Sequence, residues 1–345
     1  MRAILCRTYG DYHDISVEDV PAPSGDLAPD MVMVDIAAAG LGFANVLSIA
    51  GTHQNSPPVP FIPGTEAAGT IRAVADNITR LIPGQRVVAS MSYGAFAETV
   101  VAHADNVFPI PDELDFAAAT NFPTIYATAY ASLVWQARMQ PGETLLVHGA
   151  GGGSGLAAVD VGKAMGAEVI ATAGDSAKLD AAKSLGADHL INYREGSFRE
   201  AVLDLTKGRG ADVIFDPVGG EVFGQSLRCI APEGRIFPIG FAGGTIPQIP
   251  ANILLVKNIS VHGIYWGYYG GWAKQPRTAE TITRVRDAMA ALSAMVAKAD
   301  GQAAGKLNPL VHGCYDLSDF ATALDVITER RAIGKVVLTT RDILA

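Results

Sequence analysis

Apolar positions in the middle of the chain come in short runs separated by segments of helical period. Residues 145–147 are uninterrupted hydrophobics, the pattern of a strand buried on both faces. A glycine-rich turn follows at 149–155, then helical spacing over 156–165 closed by Gly166. The same grammar repeats: strand 168–172, helix 176–185 closed by Gly186, strand 189–191. Ser197-Phe198-Arg199-Glu200 reads as a capping box that opens a helix to about residue 206. Strand 212–215, helix 221–230, strand 235–239, a short helix 253–257 and a sixth strand 259–264 complete the run. Strands alternating with helices predict right-handed crossovers and a parallel sheet covered on both faces. Six strands in this rhythm suit a doubly wound dinucleotide domain of Rossmann type over residues 122–265.

The flanks read differently. Short strand patterns at 2–6, 31–36, 68–74, 86–89 and 96–101 are punctuated by Pro63-Gly64, Pro83-Gly84 and Pro109 with Pro111. Residues 116–139 are helical, with Pro123 interrupting. Helices at 278–299 and 317–330 and a last strand at 336–339 fit the N-terminal β unit better than the parallel sheet. Residues 1–121 and 266–345 are therefore expected to form one discontinuous catalytic domain, with a cleft between it and the nucleotide domain.

The turn Gly149-Ala150-Gly151-Gly152-Gly153-Ser154-Gly155 between strand and helix is an anion site in outline. Glycines admit a phosphate close to the backbone, and the helix N-terminus supplies free N–H groups and a positive dipole end. The match to G-x-G-x-x-G is loose, and its strand–turn–helix context is what gives it weight. Gly174 falls at the tip of the second strand, where it leaves room for a ribose 2′-phosphate that Lys178 can neutralise. Asp175 argues the other way, toward a free 2′-hydroxyl. NADPH is the favoured cofactor, with NADH as the alternative. The ordinary fate of Lys178 is a solvated helix surface.

Composition narrows the classes. The 345-residue chain suits two domains and, at 49% hydrophobic, two cores. A net charge of −9 argues against nucleic acid as a partner. Cys6, Cys229 and Cys314 are far apart and lack C-x-x-C spacing, which argues against disulfides and thiolate zinc and suits the cytoplasm. No apolar run reaches membrane-spanning length, and residues 1–20 lack the apolar core of a signal peptide.

Several blocks in order carry a family resemblance. They are Pro63-Gly64-Thr65-Glu66-Ala67-Ala68-Gly69, Gly94-Ala95-Phe96-Ala97-Glu98 and Gln140-Pro141-Gly142-Glu143. The glycine turn, residues 186–193, Asp216-Pro217-Val218-Gly219-Gly220 and Gly334-Lys335-Val336-Val337-Leu338 add to them. Over essentially its whole length the chain resembles the zinc-independent medium-chain dehydrogenases/reductases of the NADPH:quinone oxidoreductase, zeta-crystallin-like group. The fold class implied is α/β: a Rossmann doubly wound parallel sheet plus a GroES-like mostly-β catalytic domain. The resemblance also implies NADPH, hydride transfer to a quinone or activated alkene, and a homodimer joined through an edge strand of the nucleotide domain, here 258–264.

The resemblance assigns roles to residues. Ala150, Gly151, Gly152, Gly153, Ser154 and Gly155 would hold the pyrophosphate. Gly174, Lys178 and Tyr193 would grip the 2′-phosphate, and Thr128, Gly240, Phe241, Tyr265 and Trp266 would lie beside the nicotinamide. Ordinary packing is the bland reading of Thr128 and Tyr193. Metal is expected to be absent. Zinc-dependent relatives carry a cysteine near the place of Gly42 and a Gly-His-Glu where this chain has Gly64-Thr65-Glu66, so thiolate and imidazole are both missing. Two departures from quinone reductases stand out: Gly42 replaces a common asparagine, which loses a polar contact that Asn45 nearby either restores or leaves open, and His53 replaces a common tyrosine. Histidine can donate a proton or a hydrogen bond to the substrate oxygen, while an exposed loop histidine is the plain alternative. His53, Asn45 and Tyr265 are thus the catalytic candidates. The rival activities are reduction of an enal or a 2-enoyl thioester, whose phosphates would call on Arg72, Arg80, Arg228 or Lys257, and NADPH binding without catalysis.

Overall fold

The computed structural model describes residues 1–296 and 307–340. In chain order, β1 (Arg2–Ile4), β2 (Val17–Asp19), β3 (Met31–Leu41), α1 (Phe43–Ile49), β4 (Glu66–Val74), β5 (Arg86–Ser90), β6 (Thr99–His103), β7 (Val107–Pro109) and α2 (Phe116–Ala119) come first. Then come α3 (Ala127–Tyr130), β8 (Thr144–Val147), α4 (Gly153–Ala164), β9 (Glu168–Ala173), α5 (Ser176–Ser184), β10 (His189–Asn192) and α6 (Phe198–Leu205). They are followed by β11 (Ala211–Asp216), α7 (Gly220–Cys229), β12 (Ile230–Pro238), α8 (Ala251–Lys257) and β13 (Ser260–Val261). Last are α9 (Trp266–Tyr269), α10 (Ala279–Val296), β14 (Val311–Asp316), α11 (Phe320–Thr328) and β15 (Lys335–Thr339). The chain divides into two compact units, one of Met1–Thr124, Gly267–Ala304 and Leu310–Ala345, the other of Ile125–Trp266 and Gly305–Pro309.

The second unit carries a six-stranded sheet in the order β10-β9-β8-β11-β12-β13, every neighbouring pair parallel. This is the doubly wound arrangement with its order reversing at β8, the place where such sheets take ligands. Every residue of β8 and β11 is buried, as helices on both faces require. Leu146, Ile170, Ile214, Phe223 and Ile236 centre its core, each fully buried side chain contributing roughly 1.5–3 kcal/mol. Ser197 Oγ caps α6 by accepting from Glu200 N–H at 3.4 Å, as its motif predicts.

In the first unit β3 is the hub. It pairs antiparallel with β15, β4 and β6, in a seven-stranded sheet that also holds β14, β5 and β7. Val34, Ile36, Phe96 and Phe320 lie in its core, the two phenylalanine rings 5.7 Å apart. The C-terminal strand thus returns to the N-terminal sheet.

Several expectations shift. The sixth parallel strand, expected over 259–264, shrinks to two residues: Asn258 turns left-handed (φ 54°) at the end of α8, and beyond the His262 N–H, which donates to the Ile236 carbonyl at 3.0 Å, the ladder stops. The helix expected over 116–139 breaks into α2, a π-turn at Phe122–Tyr126, α3 and a second π-turn at Ala131–Gln136. Pro123, which has no N–H to give, falls inside the first wide turn. The helix α4 begins at Gly153, three residues before its apolar period, since glycines carry no hydrophobic signal. Residue 230 opens β12 instead of closing α7. The end of the helix expected over 278–299 lies outside the described residues.

Candidate functional site

The glycine turn is built at the carboxyl end of β8. Gly149 is left-handed (φ 57°), and the Ala150 N–H donates to the Thr172 carbonyl of β9 at 3.0 Å. The Gly152 N–H closes the turn on the Gly149 carbonyl, also at 3.0 Å. Gly152 is the N-cap of α4 and offers no side-chain acceptor to its first-turn amides. Gly153, Ser154 and Gly155 therefore present free amides and the positive dipole end of α4, a donor set that suits an anion. A Cβ at Gly155 would fall 2.3 Å from the Gly149 oxygen, so only glycine lets the helix start this close to the turn.

Lys178 closes over Gly151 of this turn, and Tyr193 over Gly174 at the end of β9. The stem of Lys178 crosses Gly151, where an added Cβ would meet the lysine Cβ and Cγ at 2.3 Å. The Tyr193 hydroxyl lies over Gly174, 2.6 Å from an added Cβ there, and the ring is 49% exposed. Asp175 is occupied twice. Its Oδ1 accepts from the Lys178 N–H at 3.0 Å as the N-cap of α5, and its Oδ2 stands 3.6 Å from the Lys178 ammonium. Gly151, Gly174, Lys178 and Tyr193 are thus brought together at the tips of β8, β9 and β10.

The loops after β11 and β12 meet the other side of the turn. Pro217 lies 3.4 Å from a Cβ built on Gly149, and the Ala242 and Gly243 N–H groups donate to the Pro217 and Val218 carbonyls at 3.1 and 2.9 Å. This places Gly240 and the exposed Phe241 beside Gly219. Asp216, fully buried, accepts from the Val218 and Gly219 amides through Oδ1, while its Oδ2 has no hydrogen-bond partner. Burial pushes this carboxyl above its ordinary range, the two amides pulling it back. Trp266 is buried against Trp135, ring centroids 6.2 Å apart, and Trp135 meets Tyr130 edge-on. Tyr265 remains 41% exposed. The Thr128 carbonyl accepts from Ser132 Oγ between the two π-turns, a backbone irregularity common near functional sites.

His148 holds the floor of the turn. Ser226 Oγ–H donates to the Val222 carbonyl at 2.7 Å, so at 2.8 Å it accepts from His148 Nε2–H. Nδ1 then accepts from Thr172 Oγ–H at 2.9 Å. The imidazole is neutral, satisfied and fully enclosed, and burial holds its pKa down at about 3. Nothing in the apolar run before the glycines signalled it.

Asn45, His53 and Glu66 belong to the other unit. Asn45 sits on α1, a helix the sequence did not announce, and its Oδ1 turns back to accept from the Gly42 N–H at 2.8 Å. The His53 Nδ1 accepts from the Asn55 N–H at 3.2 Å, which leaves the proton of the neutral ring on Nε2. Burial holds the His53 pKa below its ordinary value. Glu66 is buried on β4, and its Oε1 accepts from the ammonium of Lys335, itself buried on β15. Both residues were visible as letters, in the blocks 63–69 and 334–338; their pairing was not. Among the described residues no cluster of three or more His, Cys, Asp or Glu side chains has metal-binding geometry, and no helix is long and apolar enough to cross a membrane. The three cysteines are free thiols, Cys314 exposed.

Two family models match: "Alcohol dehydrogenase GroES-like domain" over residues 28–112 and "Zinc-binding dehydrogenase" over 153–284. The chain is 37% identical over 342 residues to a quinone oxidoreductase-like protein 2 homolog of Nematostella vectensis, covering 99% of this chain and 89% of that one. A solved probable oxidoreductase from Mycobacterium abscessus superposes with a TM-score of 0.85 at 32% identity over 98% of both chains. A quinone oxidoreductase of Pseudomonas syringae pv. tomato gives 0.82 at 28% identity, over 98% of this chain and 99% of that one. A mycobacterial protein solved with NADPH gives 0.80 at 26% identity, over 98% of this chain and 100% of that one. The CurK enoyl reductase gives 0.83 at 26% identity, over 98% of both. This chain belongs to the medium-chain dehydrogenase/reductase family, among its quinone oxidoreductase-like members.

Proposed function

We propose that this oxidoreductase binds NADPH on the glycine turn and reduces a quinone or another conjugated carbonyl without a metal ion. The observation that carries the cofactor reading is the commitment of Asp175 to its helix cap and to Lys178. A 2′-phosphate beside Gly174 would then meet an ammonium and a phenol, next to a carboxylate already engaged. A mycobacterial relative solved with NADPH supports the same choice. When bound, the nicotinamide supplies the hydride. Ala150 to Gly155 would hold its pyrophosphate, and Thr128, Gly240, Phe241, Tyr265 and Trp266 would set its ring. His53 would donate Nε2–H to the substrate oxygen, with Tyr265 as the second donor and Asn45 orienting the substrate.

The donor set does not fit zinc. Gly42 and Thr65 offer neither thiolate nor imidazole, and the Glu66 carboxylate already holds the Lys335 ammonium. Without a Lewis acid, acceptors that spread negative charge themselves are favoured over simple ketones. A cytoplasmic homodimer fits this reading, α8 presenting Leu255 and Val256 to solvent beside the edge strand β13. Reduction of enoyl thioesters is the second reading, favoured by the enoyl reductase neighbour. Against it, Arg72 is paired with Asp35 and Lys257 donates to the carbonyls of Arg228 and Ile230.

The experiment is NADPH consumption by chelator-treated protein with quinones, enals and acyl thioesters. Retained turnover on a quinone is expected. Metal-dependent turnover would overturn the reading, and NADPH binding with no turnover on any acceptor would reduce it to a non-catalytic binding protein.

A further inference from the structure

The first unit contains a cavity of about 580 Å³ between β7 and α10, lined in part by Arg80, Arg286, Phe108, Ile110, Met289 and Ala290. None of the residues assigned to the nucleotide or to the substrate oxygen lines it. Its volume lies within the roughly 300–1,000 Å³ of small-molecule pockets.

Its charge is unbalanced. Asp105, just before β7, accepts from the Arg286 guanidinium at 3.2 Å and also attracts Arg80 and Arg277. Arg80 and Arg286, the two guanidiniums of the lining, thus share one carboxylate, which Arg277, outside the lining, also feels, on a chain whose net charge is −9. Arg80 is anchored by donating to the Ala104 and Val107 carbonyls, and Arg277 by donating to the Tyr269 carbonyl at 3.2 Å. Burial, and Arg286 alongside, hold the Arg80 guanidinium below its ordinary pKa. Like charges gathered in a partly buried place cost free energy unless an anion offsets them. Away from the two arginines the lining is mostly apolar, Phe108, Ile110, Met289 and Ala290 among it, where no charged head would be welcome.

We propose that this cavity is a second binding site, for an amphipathic carboxylate of medium chain length. Its carboxylate would meet Arg286 and Arg80, and its alkyl chain would lie against Phe108, Ile110 and Met289. Arginine suits this role because its planar fork pairs with a carboxylate through two hydrogen bonds.

Calorimetric titration of the full chain with decanoate tests the site independently of turnover. Saturable binding at one site is expected, with decan-1-ol and inorganic phosphate each binding about tenfold weaker or worse. Arg286→Gln, at a half-exposed position, should weaken decanoate about tenfold or more. Ala290→Trp should abolish binding by filling the cavity while the far-ultraviolet circular dichroism stays unchanged. No decanoate binding by the unaltered protein, equal binding by the alcohol, equal binding by phosphate, or full affinity in Arg286→Gln would each overturn the proposal.

Discussion

Lys178 lies across Gly151 so closely that a single added methyl would meet its stem at 2.3 Å. The lysine on α5 is thereby registered on the turn that follows β8. Lys178→Met keeps the stem and removes the charge. It is expected to raise the KM for NADPH about 10–100-fold while leaving NADH within about twofold, the loss of one charge-assisted contact. Gly151→Val should displace the lysine and produce the same selectivity change. Steady-state kinetics with both nucleotides check both variants.

Glu66 and Lys335 are both buried and are paired across β4 and β15. Removing one partner strands the other charge, so Glu66→Gln or Lys335→Met should each cost about 3–5 kcal/mol in urea denaturation. Glu66→Leu combined with Lys335→Met should recover most of that loss. If Glu66 instead served a metal, the single and double variants would lose activity alike, and zinc would restore the unaltered enzyme after chelation.

His148 predicts an acid sensitivity of known direction. Its folded pKa is about 3, far below the ordinary histidine value, because burial disfavours the charged ring. The unfolded chain then binds the extra proton first, so stability is complete above about pH 6.5 and falls as pH drops toward 3. Asp160 acts oppositely. Burial raises its pKa to about 6 despite the hydrogen bonds from Tyr126 and Asn308, so its contribution weakens as pH rises through that range. The comparison that isolates His148 is therefore with His148→Gln, which does not titrate. Relative to that variant, the unaltered protein should lose up to ~4 kcal/mol between pH 6.5 and 3.5.

His53 is expected to act through Nε2–H, since Nδ1 is taken by the Asn55 amide. His53→Phe should lower kcat on a quinone about 10²-fold with the KM for NADPH unchanged. An unaltered kcat and pH profile would return the residue to its plain reading as a loop histidine.

The parallel sheet was legible because short apolar cores alternate with helical spacing and the first two crossover helices, α4 and α5, close on Gly166 and Gly186. The glycine turn was legible because its context repeats that grammar. What stayed hidden has physical reasons. The three-residue strand β2 and the seven-residue helix α1 are too short for their apolar positions to stand out as a period. β13 reads as a longer strand because residues 259–264 are apolar enough, yet the left-handed Asn258 and the irregular residues after 261 end its ladder early. Glu66 was legible as a poor metal ligand, whereas its pairing with Lys335, 269 residues away, is a tertiary fact. His148 carries no sequence signal at all, because its role rests on a threonine and a serine on other elements.

On the proposed function, the turn from Gly149 to Gly155, with Lys178 and Tyr193, selects a phosphorylated dinucleotide. Fluorescence titration of the unaltered protein with NADPH and with NADH tests it most directly. At least tenfold tighter binding of NADPH, with the gap closed in Lys178→Met, is the predicted result; equal affinities, or a preference for NADH, would contradict it.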